Sequence, residues 1–516
     1  MKKYTLIIST LLLMLTNSAC SDRELDLFPP YADDITNINT EAQLQQLLNG
    51  GYLSVASTDV FGTKVTLLGD LLSDKMFVSN LNGSFIDTYN FNYNAAQNEF
   101  SFYDTLYGAI AKCNLVINNT SVANNAEVIR IKGEAKTLRA LAYFTLVNYY
   151  SATPTSGVNQ EYGVPLVLTD YDANIQPARA TVAEVYAQII ADLKDGIIHN
   201  DAAPGKKVYL SQTAAKLILA KVYLTRRAAG DAALALQLTT DIVENSPTNF
   251  AKIDATALTK PYDPNSASVY SQYFSGNNDA VATGSEIFNG VLQNYTIQGS
   301  ENQPETIWEL DLNINTNQFT NIGSNVSLPG YYNRTDSRKC MLFNQAFYSS
   351  FATDDVRKGK SFTATTSLLV NIGVPTVDNP KGYWTTKYPR LTEEGNYFRN
   401  IKIFRFADAQ LLQIEALNLT GQSGVALTKL NAFAQSRNGS VYTGTNLLDD
   451  ILTERAKEFY GEGQRFLDLK RYNLAVSRPS NCVTCNVAAS DKRFVLPVSQ
   501  TAMNRNPNLK QYPGYN

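Results

Sequence analysis

The sequence predicts a mainly α-helical protein, with helix pairs forming a scaffold around one long irregular region that holds a few short strands. Three observations predict it. Apolar residues recur at helical spacing through residues 41–245 and again from about 400 to 475. Glycine-containing turns separate neighbouring helical stretches there. Between about 245 and 400, Gly, Asn, Ser, Thr and Tyr dominate and the helical period fades.

The chain opens with the basic Met1-Lys2-Lys3 and a largely apolar stretch from Leu6 to Leu15. That stretch is too short for a membrane span, which needs about 20 residues. Small residues, Ser18-Ala19, then precede Cys20, so residues 1–19 read as a secretory signal peptide. A cysteine at this position resembles the bacterial lipoprotein signal, which makes Cys20 the lipidated mature N-terminus; plain cleavage leaving a free thiol is the alternative. Ser21, Asp22 and Glu24 resemble the acidic export tag of surface lipoproteins. Residues 20–40, with Pro29-Pro30, read as an extended tether.

Helices follow in order. Asp104 to Asn118 and Glu127 to Tyr149 each carry one apolar stripe, the first through Leu106, Ile110 and Cys113, the second through Ile131, Leu138 and Leu146. Thr181 and Glu184 form a capping box opening a helix through Ile189 and Leu193. Ser211 starts another, Gly230-Asp231 turns the chain, and Ala232 to Val243 is its partner. This pair resembles a tetratricopeptide-type unit. A second such unit is expected from Phe406 to Leu419, a turn at Gly421 and Gly424, and Val425 to Arg437. Within 245–400, Ile307-Trp308-Glu309-Leu310 reads as an isolated strand with Trp308 in the core. A segment this long and irregular is where binding residues concentrate.

Composition excludes several functions. The 44 Lys+Arg against 47 Asp+Glu leave a net charge of −3, with no basic footprint for nucleic acid. The single His199 leaves no imidazoles for a multi-histidine metal centre, and no metal or cofactor is expected. Tyrosine is abundant, at 30 residues, and supplies rigid amphipathic contact surface.

The densest charge pattern is Glu454-Arg455, Glu458, Gly461-Glu462-Gly463-Gln464-Arg465, Asp468-Leu469 and Arg471. Carboxylates beside Arg455, Arg465 and Arg471 are pushed below their ordinary pKa, the wrong direction for a general acid. The pattern reads as a structural ion-pair corner, with Gly461 and Gly463 suiting a helix end.

This segment resembles the C-terminal signature of the SusD/RagB family of outer-membrane nutrient-binding lipoproteins. Other landmarks agree in order: Gly133 to Ala140 with Tyr143-Phe144; Gly163-Val164-Pro165-Leu166, Arg179 and Val182 to Tyr186; Phe406-Ala407-Asp408, Leu411-Leu412, Glu415-Ala416 and Asn418; Leu430-Asn431 and Arg437; and Asn508 to Tyr515. Phe406 stands where the family often has tyrosine, and Tyr512 where it usually has asparagine. The resemblance implies one SusD-like domain over 41–516. It further implies a surface-exposed, lipid-anchored protein of the Bacteroidota outer membrane, without catalytic residues. Such a protein captures a glycan or peptide fragment for a SusC-like TonB-dependent transporter. The alternative is a secreted glycan hydrolase using carboxylates of 245–400.

Sugars stack on aromatic rings and bond short polar side chains, so two stretches are candidate ligand sites. One is 80–93, with Asn80, Asn82, Tyr89, Phe91 and Tyr93. The other is in the irregular region, with Tyr331, Tyr332, Asn333, Arg334, Tyr383 and Trp384. Cys482-Val483-Thr484-Cys485 lies in a loop after Pro479 and reads as a structural disulfide rather than a zinc half-site. Cys113 and Cys340 are expected as buried thiols.

Overall fold

The computed structural model describes residues 38–515, apart from 80–83, 97–99, 101, 171, 173, 246–269, 271–272, 275–279, 289–290, 299–300, 313–326, 333–339, 359–367, 371–381, 389–399 and 480. The expected signal peptide, Cys20 and nearly all of the expected tether fall outside the described residues.

Helix α1 (Glu41–Ala56) begins with a capping box: the Thr40 hydroxyl accepts from the Gln43 N–H, and Gln43 accepts from the Thr40 N–H. Leu44, Leu48 and Val55 carry its buried stripe. Helix α2 (Lys64–Leu71) is buried on almost every residue and leads into β1 (Met76–Val78) and the four-residue α3 (Ile86–Tyr89). Then come α4 (Tyr103–Asn118), α5 (Ala126–Tyr150) and α6 (Val182–His199), which pack side by side and match the expected helices to within a residue or two. A buried fork locks them together. Arg139 donates to both oxygens of Asp192 at 2.8 and 2.7 Å, and to Asn114 at 2.9 Å. Thr181 and Glu184 form the expected capping box. Ser211 caps α7 (Gln212–Arg226), and α8 (Asp231–Asn245) returns after Gly230, whose φ of 86° suits the turn.

Strands in the irregular region are not isolated, as the sequence suggested, but paired. β2 (Ala280–Phe288) and β3 (Val291–Gln298) form a hairpin. β4 (Thr306–Leu310) is followed by α9 (Leu328–Tyr332), β5 (Met341–Asn344), α10 (Gln345–Ser349), β6 (Leu369–Val370), β7 (Gly382–Thr385) and β8 (Ile401–Arg405). β4 pairs with β8, and a four-stranded antiparallel sheet runs in the order β1-β5-β7-β6. Trp308 is buried, its indole N–H donating to the Val208 carbonyl at 3.0 Å.

The second helix pair is α11 (Phe406–Leu419) and α12 (Ser423–Gln435), joined through Gly421. α8 packs against α11, so the two tetratricopeptide-like pairs stack. Helices α13 (Leu447–Phe459) and α14 (Arg465–Arg471) bracket the expected ion-pair corner. Its pairing differs from the local one expected. Glu454 pairs with Arg357 at 2.6 Å, and Glu458 with Arg357, Arg405 and Arg437 at 3.5, 2.9 and 3.3 Å. Arg455 and Arg471 instead serve Asp408, Asp468 and Glu415, and Arg465 reaches Asp74. The reason is steric: α13 buries Glu454 and Glu458 on the face that meets the 355–357 segment and β8. The turn between α13 and α14 rests directly on α2. A Cβ at Gly69 would lie 1.8 Å from the Gly463 carbonyl oxygen, so neither side tolerates a side chain. The chain closes with the short hairpin β9 (Val476–Ser477) and β10 (Asn486–Val487), then α15 (Gln500–Arg505). Cys482 and Cys485 form the expected disulfide at the tip of this hairpin, and Cys113 and Cys340 are buried thiols.

Candidate functional site

The four-stranded sheet brings distant segments together at one end. Val78 faces Met341, and Leu369 faces Thr385, so the end of β1, the start of β5, the end of β7 and the start of β6 share that end. Two of the predicted stretches contribute neighbouring residues, Phe85 just before α3 and Tyr331 in α9. They touch through aromatic rings, Phe85 lying 4.9 Å from Tyr331 and 5.3 Å from Phe100 between ring centroids.

The rings singled out from sequence do not face solvent. Tyr332 is fully buried and its hydroxyl donates to Asp70 at 2.7 Å. Trp384 is fully buried on β7. Tyr89 is buried with Phe91, the Arg478 guanidinium lying 4.1 and 4.6 Å from their ring centroids. Tyr93 is buried and donates to the Arg493 carbonyl. Tyr331 is buried beneath Phe85, and Tyr383 is buried with its face stacked on Tyr348 at 3.7 Å. Tyr89, Tyr93, Tyr331, Tyr332 and Trp384, expected from sequence as ligand contacts, are thus all buried in the structure. Where a hydroxyl or ring face meets a polar partner or a cation inside the protein, as for Tyr332, Tyr93 and Tyr89, core burial satisfies an amphipathic ring as well as a ligand would. Asn80, Asn82, Asn333 and Arg334 lie outside the described residues.

What the sheet end does present was passed over in the sequence. Phe85 is half-buried, while Asp87, Asn92 and Asn94 beside it are exposed. Phe85 and Phe91 flank α3 with φ of 61° and 57°, left-handed values that are uncommon for bulky residues. Such strain collects at functional positions. Asn92 donates to Asp87 at 3.2 Å, so an exposed carboxylate–amide pair spans α3, whose first turn follows the half-buried Phe85. The signal available in sequence was the density of Asn and Asp through 87–94; nothing there distinguishes Phe85 from the tyrosines.

Beneath the site lie two carboxylates of opposite tendency. Burial raises Asp70 to about 7, although the Tyr332 hydroxyl and the Gly463 N–H both donate to it. Against its burial, Arg465 holds Asp74 well below the usual carboxylate range through paired bonds of 2.9 Å. In the irregular region, Glu305 accepts from the Ala407 N–H and from Arg405, and Glu309 from Asn302 and Asn400. Both are buried and structurally engaged, which leaves neither placed as an open acid–base pair. On the helical side, an open groove of about 820 Å³ runs along α6, α7 and α8, lined by Ile197, Ile198, Leu219, Tyr223, Leu234 and Leu238.

Comparison with known proteins defines the class. Residues 25–224 match a family described as starch-binding and associating with the outer membrane, and residues 367–515 match the SusD family. The chain belongs to the SusD/RagB family. It is similar to a SusD-like protein of Formosa agariphila, 28% identical over 231 residues, which is 44% of this chain and 44% of that relative. The starch-binding protein SusD of Bacteroides thetaiotaomicron is 29% identical over 123 residues, 22% of each chain. The matches thus span less than half the length of these curated relatives. In three dimensions the chain resembles a proposed sugar-binding protein from Bacteroides vulgatus, at 25% identity and a TM-score of 0.75, over 93% of this chain and 99% of that one. It shares its fold with surface glycan-binding protein A of Bacteroides uniformis, at 19% identity and a TM-score of 0.67, over 92% and 100% of the two chains. Among the described residues no helix is long and apolar enough to cross a membrane.

Proposed function

We propose that this protein is a surface lipoprotein, anchored through Cys20, that captures glycan fragments at the sheet end around Phe85 and delivers them to a SusC-like TonB-dependent transporter. The observation that carries the reading is family membership on both sides of the irregular region, one match being to a starch-binding, outer-membrane-associated family. The surroundings of Phe85 supply suitable chemistry. An aromatic face takes the apolar C–H face of a sugar, and Asp87 and Asn92 take hydroxyls. The helical scaffold is left for the transporter. The protein binds without turning over its ligand.

Native electrophoresis through gels containing amylopectin, xylan, laminarin or inulin tests capture, paired with an assay for new reducing ends. Retardation in at least one gel without product is expected. New reducing ends favour the hydrolase reading, and retardation by none of the four contradicts glycan capture. Extraction in mild detergent from cells carrying the neighbouring genes tests delivery: co-purification with a large barrel protein is expected, and recovery as a lone monomer contradicts it.

A further inference from the structure

The segment that presents Phe85 does not hold its own shape. Helix α3 has four residues and no side-chain cap, and bulky residues at positive φ stand at both its ends. Such a conformation persists only where surrounding contacts fix it. Those contacts come from the far end of the chain. Arg478, buried just after β9 on the side of the hairpin tip, donates to the carbonyls of Leu71 and Ser73 at 2.8 and 2.9 Å and to that of Tyr89. Its guanidinium also packs on the rings of Tyr89 and Phe91. At the disulfide-closed tip, the Val483 N–H donates to the Asn90 side-chain oxygen at 2.8 Å. The Asn90 amide then donates to the Ile86 carbonyl at 3.0 Å, tying the turn of α3 to the hairpin. Farther along, the Arg493 carbonyl accepts from Tyr93, and the Gln500 N–H donates to the Ala95 carbonyl at 2.9 Å.

We infer that the C-terminal disulfide hairpin is a clamp that positions the ligand-contacting segment 85–92, with Arg478 and Asn90 as its positioning residues. The inference rests on the glycan-capture reading above. It gives the disulfide a role that global stability does not require: a loop of this length removes little chain entropy, but it fixes the direction of the Val483 N–H. The competing account is that Arg478 only caps the carbonyls at the end of α2.

The test uses the mature, oxidised, full-length protein, read by affinity electrophoresis in the same four polysaccharides and by hydrogen exchange. The variants are Asn90→Leu, Asn90→Asp and the double substitution Cys482→Ser with Cys485→Ser, which spare Arg478 and therefore the α2 cap. The clamp predicts that Asn90→Leu and the double-serine variant lose binding at least ten-fold. Exchange across 86–92 rises in both, while exchange in α5 and α6 and the thermal midpoint stay near wild type. Asn90→Asp keeps the acceptor for Val483, and the backbone N–H of residue 90 still donates to the Ile86 carbonyl at 3.0 Å, so this variant restores most of the affinity. Wild-type retention with equal retention of Asn90→Leu and the double-serine variant overturns the clamp and leaves the capture reading standing. Failure of the wild type to be retained by any of the four polysaccharides overturns the capture reading, and the clamp's positioning role with it.

Discussion

Glu458 is the carboxylate on which the ion-pair corner depends, and Glu458→Gln is its sharpest perturbation. Its side chain is fully buried, with Arg405, Arg437 and Arg357 at 2.9, 3.3 and 3.5 Å and the Tyr270 hydroxyl at 3.3 Å. Glutamine keeps the shape and removes the charge. Breaking a buried ion pair by losing one partner costs about 3–5 kcal/mol. Arg357 retains Asp355 and Glu454, and Arg405 retains Glu462 and Glu305, so much of the stranded charge stays compensated. That places the expected loss near the lower end, about 3 kcal/mol, a large share of a typical total of about 5–15 kcal/mol. Urea denaturation followed by circular dichroism measures it. The pH dependence adds a second check. Against its burial, Arg437, Arg405, Arg357 and Lys387 hold the Glu458 carboxyl well below its ordinary value of 4.5. A depressed carboxyl stabilises the folded state above its unfolded pKa and loses that contribution as pH falls through the folded value. The gap between wild type and Glu458→Gln is therefore full at neutral pH and narrows below about pH 4.5. A loss under about 1 kcal/mol, or a gap unchanged with pH, refutes the corner as a charge-stabilised element.

Phe85→Ala is expected to weaken glycan binding about five- to a hundred-fold, taking stacking at about 1–3 kcal/mol; calorimetric titration measures this, and unchanged affinity removes Phe85 from the site. Asp70→Asn keeps an acceptor for Tyr332 but cannot ionise. Because burial raises Asp70 to about 7, its contribution to stability is fully present below the unfolded pKa near 3.8 and is lost as pH rises through 7. Thermal melts at pH 5 and pH 8 should show the asparagine variant gaining on wild type at the higher pH, and parallel behaviour at both contradicts the assignment. Cys20→Ala is expected to move the protein from the membrane fraction to the soluble one, as judged by fractionation and intact mass; retention at the membrane contradicts lipid anchoring.

The helical half was legible because each helix carries its own period and caps. Thr181 with Glu184, Ser211 before α7 and the turn at Gly230 are local signals, and the structure places all three as read. The sheet was not legible. β1 and β5 pair across more than 250 residues with three or four residues each, too short to announce a period. The corner was read correctly as structural, yet its arginine partners were missed because Arg357, Arg405 and Arg437 arrive from other elements. The site failed in a similar way. Tyr332 finds its acceptor in Asp70, 262 residues earlier, and Tyr89 finds its cation in Arg478, and neither partner is visible from the local sequence.

Capture of a glycan at the sheet end can be read by hydrogen exchange with and without a retained polysaccharide. Slowed exchange is expected at residues 84–95 and 327–332, with the groove along α6, α7 and α8 unaffected. Protection confined to that groove, with 84–95 exchanging as in the free protein, contradicts it.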